Sequence, residues 1–182
     1  MSRKYKFNNK GGAYFISFAV VNWIDVFTRD IYFSCITDGL DYCRKNKGME
    51  IYGYCIMPSH VHLIFRSSNN NPSGLIRDFK GFTSKKMLKL ITTNGQESRK
   101  EWLLWMFERA GKKNSNVTHR QFWQQSNKTI EIWSLKVFEQ KLNYIHNNPI
   151  ESGFVIDAVD YKYSSARNYA NDDVTVLEID IS

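Results

Sequence analysis

The chain has 182 residues, 42% hydrophobic and 15% aromatic, enough for one domain with a sizeable core and too apolar for a disordered chain. Twenty-five Lys and Arg stand against eighteen Asp and Glu, a net +7, and the last twelve residues hold Asp172, Asp173, Glu178 and Asp180 with no base, so the rest carries +11. A body that basic favours a polyanion, nucleic acid ahead of an anionic membrane surface, and the twelve Phe, ten Tyr and five Trp exceed what such a core needs, leaving aromatics for base stacking.

Residues 13–21 (AYFISFAVV) follow Gly11-Gly12 and read as a buried strand. Residues 31–46 read as a helix, with Tyr32, Ile36, Leu40 and Cys43 on one face and Gly48 as its stop. Residues 49–56 and 60–66 read as two strands joined at Met57-Pro58-Ser59, a join too short for a helix, so they should pair antiparallel. A helix should start at Pro72 and run through LIRDFKGFTSKKMLKLI, with Gly81 as a weak point. Residues 92–100 read as a polar loop, 101–110 as a short aromatic helix, and 111–120 as a basic loop and the most mobile segment. A strand is expected within 121–133, then a helix over 134–147 stopped by Asn147-Asn148-Pro149. The tail alternates Leu177, Ile179 and Ile181 with Glu178 and Asp180, a strand pattern suited to a sheet edge or an oligomer contact. The order predicts an α+β sandwich with an antiparallel sheet: one domain over 1–170 and an acidic tail over 171–182.

Cys35, Cys43 and Cys55 are odd in number and form no CxxC, so neither a disulfide framework nor a cysteine zinc site is indicated. The N-terminus lacks an apolar signal core, and no apolar run approaches about 18 residues. The expectation is a reduced cytoplasmic protein that does not span a membrane.

Three features carry chemistry. In His60-Val61-His62, strand geometry turns residues i and i+2 to one side, so the two imidazoles can chelate one divalent ion while Val61 and Leu63 enter the core; two structural histidines are the alternative. In Tyr144-Ile145-His146-Asn147-Asn148-Pro149, Tyr144 and Asn148 are i and i+4 on a helix, pairing a phenol nucleophile with an amide-oxygen ligand. The alternative is an ordinary helix end, and His146 points elsewhere. In the run 77–86, Arg77, Lys80, Lys85 and Lys86 interleave with aromatics and the hydroxyls of Thr83 and Ser84, the groups that contact phosphates and bases. Lys112, Lys113 and Arg120 of the basic loop join them as expected DNA contacts. A solvated face of an amphipathic helix is the alternative for 77–86.

Taken together, these runs resemble a known family. Met57-Pro58-Ser59-His60-Val61-His62-Leu63-Ile64 resembles the histidine-hydrophobic-histidine signature of the single-tyrosine transposases of insertion sequences. Phe79-Lys80-Gly81-Phe82-Thr83-Ser84-Lys85 and the run from Tyr144 to Pro149, followed by Gly153, resemble their bacterial relatives, the REP-associated tyrosine transposases. Phe122-Trp123-Gln124 and Tyr163-Ser164-Ser165-Ala166 fit as well, so the likeness covers most of residues 13–170; Ser59 departs from it, since the family often has Asn there.

The resemblance implies a ferredoxin-like or RRM-like sheet of the HUH endonuclease type, with the histidines on a central strand and the tyrosine on a helix across it. It implies hairpin-forming single-stranded DNA as substrate, Mg²⁺ or Mn²⁺ as cofactor, and a bacterial, nucleoid-associated setting, with monomer and homodimer both open. Tyr144 would attack the phosphodiester to leave a 5′-phosphotyrosine and a free 3′-OH, with His60, His62 and Asn148 holding the metal. No ATP is needed, in keeping with the lack of a GxxxxGK[ST] run. Two imidazoles and an amide would hold Zn²⁺, Co²⁺ or Ni²⁺ more tightly than Mg²⁺. Three rivals stand: a domesticated descendant that binds hairpin DNA without cutting it, a relaxase, which is usually larger, and a structural metal-binding protein, which leaves the +11 body unexplained.

Overall fold

The computed structural model describes residues 7–115, 119–170 and 176–180. Strand β1 (Ala13–Ala19) leads through a 3-10 turn at Val21–Trp23 to helix α1 (Asp30–Lys47). Strands β2 (Met49–Met57) and β3 (His60–Ser67) follow, then α2 (Pro72–Thr93), α3 (Lys100–Lys112), β4 (Lys128–Ile132), α4 (Leu135–Glu151) and a short α5 (Ala166–Tyr169). The sheet order is β2-β3-β1-β4, antiparallel throughout, so β1 and β3 are central. With α1 and α2 as crossovers this is the ferredoxin-like arrangement that the family resemblance implied.

The two faces of the sheet follow from period-two alternation. Tyr14, Ile16 and Phe18 of β1 and Val61, Leu63 and Phe65 of β3 bury one face against α1, α2 and α3. Phe15 and Ile64 turn the other way and pack with Ile145 of α4. The histidine pair belongs to this second face.

Local chemistry explains most boundaries. Gly48, at φ +69°, ends α1 in the left-handed conformation, its N–H donating to Cys43 O. Pro72 opens α2, and the Asn71 side chain caps it by accepting from Gly74 N at 3.1 Å. That helix runs unbroken through Gly81, which weakens but does not interrupt it.

Two expectations are corrected. First, α4 does not stop at Asn147-Asn148-Pro149 but continues to Glu151, with Ser152 N donating to Asn148 O at 3.0 Å. A proline in the last turn removes one donor from a ladder that is about to end, so the cost is small. Second, residues 176–180 form no strand. The bulge between Ile51 and Gly53 makes the β2 edge irregular. Asp180 meets that edge through Asp180 N to Ile51 O (2.6 Å) and Ile51 N to Asp180 Oδ2 (2.9 Å), so a side chain takes the place of a ladder. Leu177 is buried in the core beside them, and Glu178 and Asp180 pair with Arg44. Ile181, Asp172 and Asp173 lie outside the described residues.

Cys35, Cys43 and Cys55 are buried and unbridged. Among the described residues, no helix is long and apolar enough to cross a membrane.

Candidate active site

Alternation on β3 turns His60 and His62 toward α4, and their Nε2 atoms approach to 3.1 Å. Two adjacent ligands about 2.1 Å from one ion lie about 3 Å apart, so the pair fits chelation without rearrangement. Ser59 Oγ lies 3.1 Å from His60 Nδ1, a contact that orients the ring and leaves Nε2 facing His62. His62 Nδ1 is buried without a hydrogen-bond partner.

Both rings are held neutral, the form that binds a metal. Burial pushes His62 down to about 3, with the charges of His60 and Lys128 acting in the same direction. Burial also lowers His60, opposed by a hydrogen bond with Asn148 and by the Asp25 carboxylate. No cluster of three His, Cys, Asp or Glu occurs among the described residues, so any third protein ligand would be a side chain of another type. Asn148, within hydrogen-bond reach of His60, is positioned to be that ligand.

Helix α4 is capped by Ser134, whose side chain accepts from Val137 N, and buries Ile145 and Pro149 against the sheet. One position before each of these, Tyr144 and Asn148 face the histidines. The Tyr144 ring lies 5.3 Å from His62 and 5.9 Å from Phe15, both edge-on, and the side chain is 43% exposed, so the phenol is reachable from solvent. His146 points away, to Ser165 Oγ at 2.9 Å. Ser165 Oγ also accepts from Tyr54 N, so the Tyr163-Ser164-Ser165-Ala166 run ties α4 to β2.

His60, His62, Tyr144 and Asn148 line one cavity of about 520 Å³. Its remaining wall comes from residues that sequence reasoning missed. Lys128, first residue of β4 and opposite Ser17, brings a cation to the His62 side. Trp23 meets His60 edge-on at 5.2 Å, and Gln124 and Asn127 close the rim. The Phe122-Trp123-Gln124 run hinted at this rim, but Lys128 and Trp23 carry no local signal, since only the β1–β4 pairing and the turn after β1 bring them there.

The expected DNA contacts divide. Arg77, Lys85 and Lys86 line a separate groove of about 780 Å³ between α1 and α2, on the opposite sheet face from the histidines, with Ser84 half-buried nearby. There Lys86 pairs with Asp38 and Arg77 with Asp78. Thr83 is a correction. It is fully buried, its hydroxyl donating to Phe79 O and accepting from Trp123 Nε1, and it offers nothing to a phosphate. Lys80 is another: its ammonium donates to Gln124 O at 2.8 Å and Asn127 Oδ1 at 2.7 Å, and burial pulls its pKa down to about 8. Lys80 therefore braces the rim of the cavity from within. Lys112 pairs with Glu108, while Lys113 and Arg120 are exposed; residues 116–118 of this loop lie outside the described set.

Residues 16–106, half of the chain, match the family described as "Transposase IS200 like", a span that includes the histidine pair and ends before α4. A protein of Haemophilus influenzae described as a REP-associated tyrosine transposase is 25% identical over 156 residues, covering 86% of this chain and 80% of that one. The solved structure of a REP-associated tyrosine transposase bound to a REP hairpin superimposes with a TM-score of 0.68 at 17% identity over the whole of both chains, which shows a shared fold.

Proposed function

Because this chain belongs to the IS200-like transposase family, we propose that it cuts and rejoins single-stranded DNA beside a hairpin, with Tyr144 as nucleophile and a divalent ion, Mg²⁺ or Mn²⁺, held by His60, His62 and Asn148. The observation that carries the reading is the meeting of a reachable phenol, two facing neutral imidazoles and an amide in one cavity, from positions more than eighty residues apart in the chain. The hairpin enters the proposal because the matched REP-associated structure holds one.

The Tyr144 oxygen attacks phosphorus as the bond to the 3′-oxygen breaks. The phenol proton is lost, the departing 3′-oxygen gains one, and the products are a 5′-phosphotyrosine and a 3′-OH. The phosphodiester energy is retained in the new ester, so another 3′-OH reverses the step and joins new ends. His60, His62 and Asn148 would hold the ion, whose chemistry there would be Lewis-acid stabilisation of the charge on the phosphate. Lys128 adds a cation on the His62 side, and the exposed Lys113 and Arg120 supply further phosphate contacts.

The test is metal-dependent nicking of a hairpin-bearing oligonucleotide. Wild-type protein should nick with Mg²⁺ or Mn²⁺ and stop with chelator. His60→Ala leaves one imidazole, so calorimetric Mn²⁺ affinity should fall at least tenfold and nicking should fail at low metal. Tight hairpin binding by wild-type protein with no nicking under any divalent ion would favour the domesticated, non-cutting reading and overturn this one.

A further inference from the structure

Two consecutive non-glycine residues, Asn22 and Trp23, sit at φ +56° and +54°. This region is rarely adopted by any side chain and least by a bulky one, and such outliers mark positions that the surrounding structure over-determines. The turn is fastened by Val20 N to Ser59 O (2.8 Å), Val21 N to Phe122 O (2.9 Å) and Trp23 N to Val20 O (3.0 Å). No core packing compensates for the strain, because the indole is 57% exposed. What the turn achieves is to hold a flat aromatic surface beside His60, at the mouth of the active-site cavity.

The surface continues from there. Trp23, Gln124 and Ser126 also wall a second cavity of about 560 Å³, and Asn22 and Lys113 connect that one to a third of about 220 Å³ reaching Arg109. The three therefore form one path from His60 to the outer face of α3. On that face Trp105, Arg109 and Lys113 follow at intervals of four, with the Arg109 guanidinium 5.3 Å from the Trp105 ring centre, while Leu103 and Phe107 bury the opposite face. The described residues lining the path include no Asp or Glu, and amides are frequent among them. In contrast, the groove between α1 and α2 is lined by Asp38 and Asp78, which pair with Lys86 and with Lys47 and Arg77.

Alternating aromatic faces and cations, with neutral hydrogen-bonding groups between them, are the chemistry of a single-stranded nucleic acid track. We propose that the single strand on one side of the cut lies along this path: Trp23 stacks the base next to the scissile phosphate, Lys113 and Arg109 hold successive phosphates, and Trp105 stacks a base farther out. From Trp105 to Lys113 the helix rises about 12 Å, room for a few nucleotides. The inference rests on the cutting reaction placed at Tyr144, but it concerns binding and is tested without cleavage.

The test is titration of fluorescein-labelled oligo-dT, in several lengths and without divalent metal, into the full chain. Trp23→Ala and Trp105→Ala should each weaken binding about tenfold, and Trp23→Phe, which keeps a stacking face, should restore most of the loss. The Arg109→Ala/Lys113→Ala double variant should make the slope of log K against log[salt] shallower by about 1.4. Arg77→Ala and Lys85→Ala, in the other groove, should stay within about twofold of wild type. Wild-type affinity in the Trp23 and Trp105 variants, loss confined to the Arg77 and Lys85 variants, or no binding of oligo-dT by wild-type protein would each overturn the track. Binding that depends on Trp23, in a protein that forms no Tyr144 adduct, would leave the track standing and remove the cutting reaction instead.

Discussion

Glu97 shows how one residue fixes the site at a distance. Its carboxylate is buried, and burial alone would raise its pKa, but hydrogen bonds from the Arg99 side chain and backbone carry it down to about 2. Arg99 in turn donates to Asp25 O and Thr28 Oγ1, fastening the segment just after Trp23. An unfolded glutamate titrates near 4.3, above the folded value. The pair's contribution is therefore complete above about pH 4.3 and is lost as pH falls toward about 2. After discounting for the solvent-facing guanidinium it is worth about 2 kcal/mol. Glu97→Gln should lower Tm at neutral pH and flatten its fall on the acid side in calorimetric melts. Parallel Tm–pH curves for the two proteins would contradict this.

At this scale, the faces that bring His60, His62, Tyr144 and Asn148 into one cavity are legible in the sequence. His60 and His62 are set by the two-residue period of a strand, Tyr144 and Asn148 by the four-residue spacing of a helix, and both periods are local. Thr83 and Lys80 misled because residue type alone cannot tell a phosphate contact from a buried hydroxyl or a brace. Their partners, Trp123, Gln124 and Asn127, lie about forty residues away in the chain. Trp23 was silent for a related reason, since no pattern of neighbours announces a positive φ at a tryptophan.

Among the elements, the β2–β3 hairpin and the two crossover helices follow from the sequence, because turn residues and apolar periodicity agree there. The two corrections fall at chain ends and edges, where tertiary contacts outweigh local preference. Continuation of α4 past Asn148 keeps that amide on the same helical face as Tyr144. The tail's alternating pattern describes its packing well, with Leu177 inward and Glu178 outward, but the β2 edge offers it Arg44 and the Ile51 backbone in place of a ladder.

Ile51 pairs with Phe65, at the far end of the β2–β3 hairpin from His60. Deleting residues 176–182 should therefore lower stability by about 2–4 kcal/mol, through the hole left by Leu177, only 3% exposed, and the unpaired β2 edge, while cutting survives. Thermal melts and a nicking assay at a temperature where the truncated protein is folded check both halves. Loss of cutting by the folded truncation would tie the tail to the chemistry and refute this.

For the whole molecule, the charge asymmetry is the long-range counterpart of the site. A body carrying +11 attracts a polyanion from a distance, and the acidic tail cancels part of that field at Arg44, at the other end of the hairpin from the histidines. Neutralising about six phosphates gives a slope of log K against log[salt] of about −4 to −5, with single-stranded or hairpin DNA preferred over plain duplex. Fluorescence anisotropy over a salt series measures it; equal affinity for blunt duplex, or no slope, would contradict the reading.

The central claim is that Tyr144 forms the covalent bond, and a denaturing gel of end-labelled hairpin oligonucleotide tests it most directly. With wild-type protein and Mn²⁺, the 3′-labelled strand should run as a slow protein–DNA species, because the tyrosine keeps the 5′-phosphate, and the 5′-labelled fragment should run free. Tyr144→Phe removes one oxygen and keeps the ring against His62 and Phe15, so the variant should fold, bind Mn²⁺ and bind hairpin DNA like wild type, yet give no slow species. A slow species formed by Tyr144→Phe would assign the bond to another tyrosine and contradict the account.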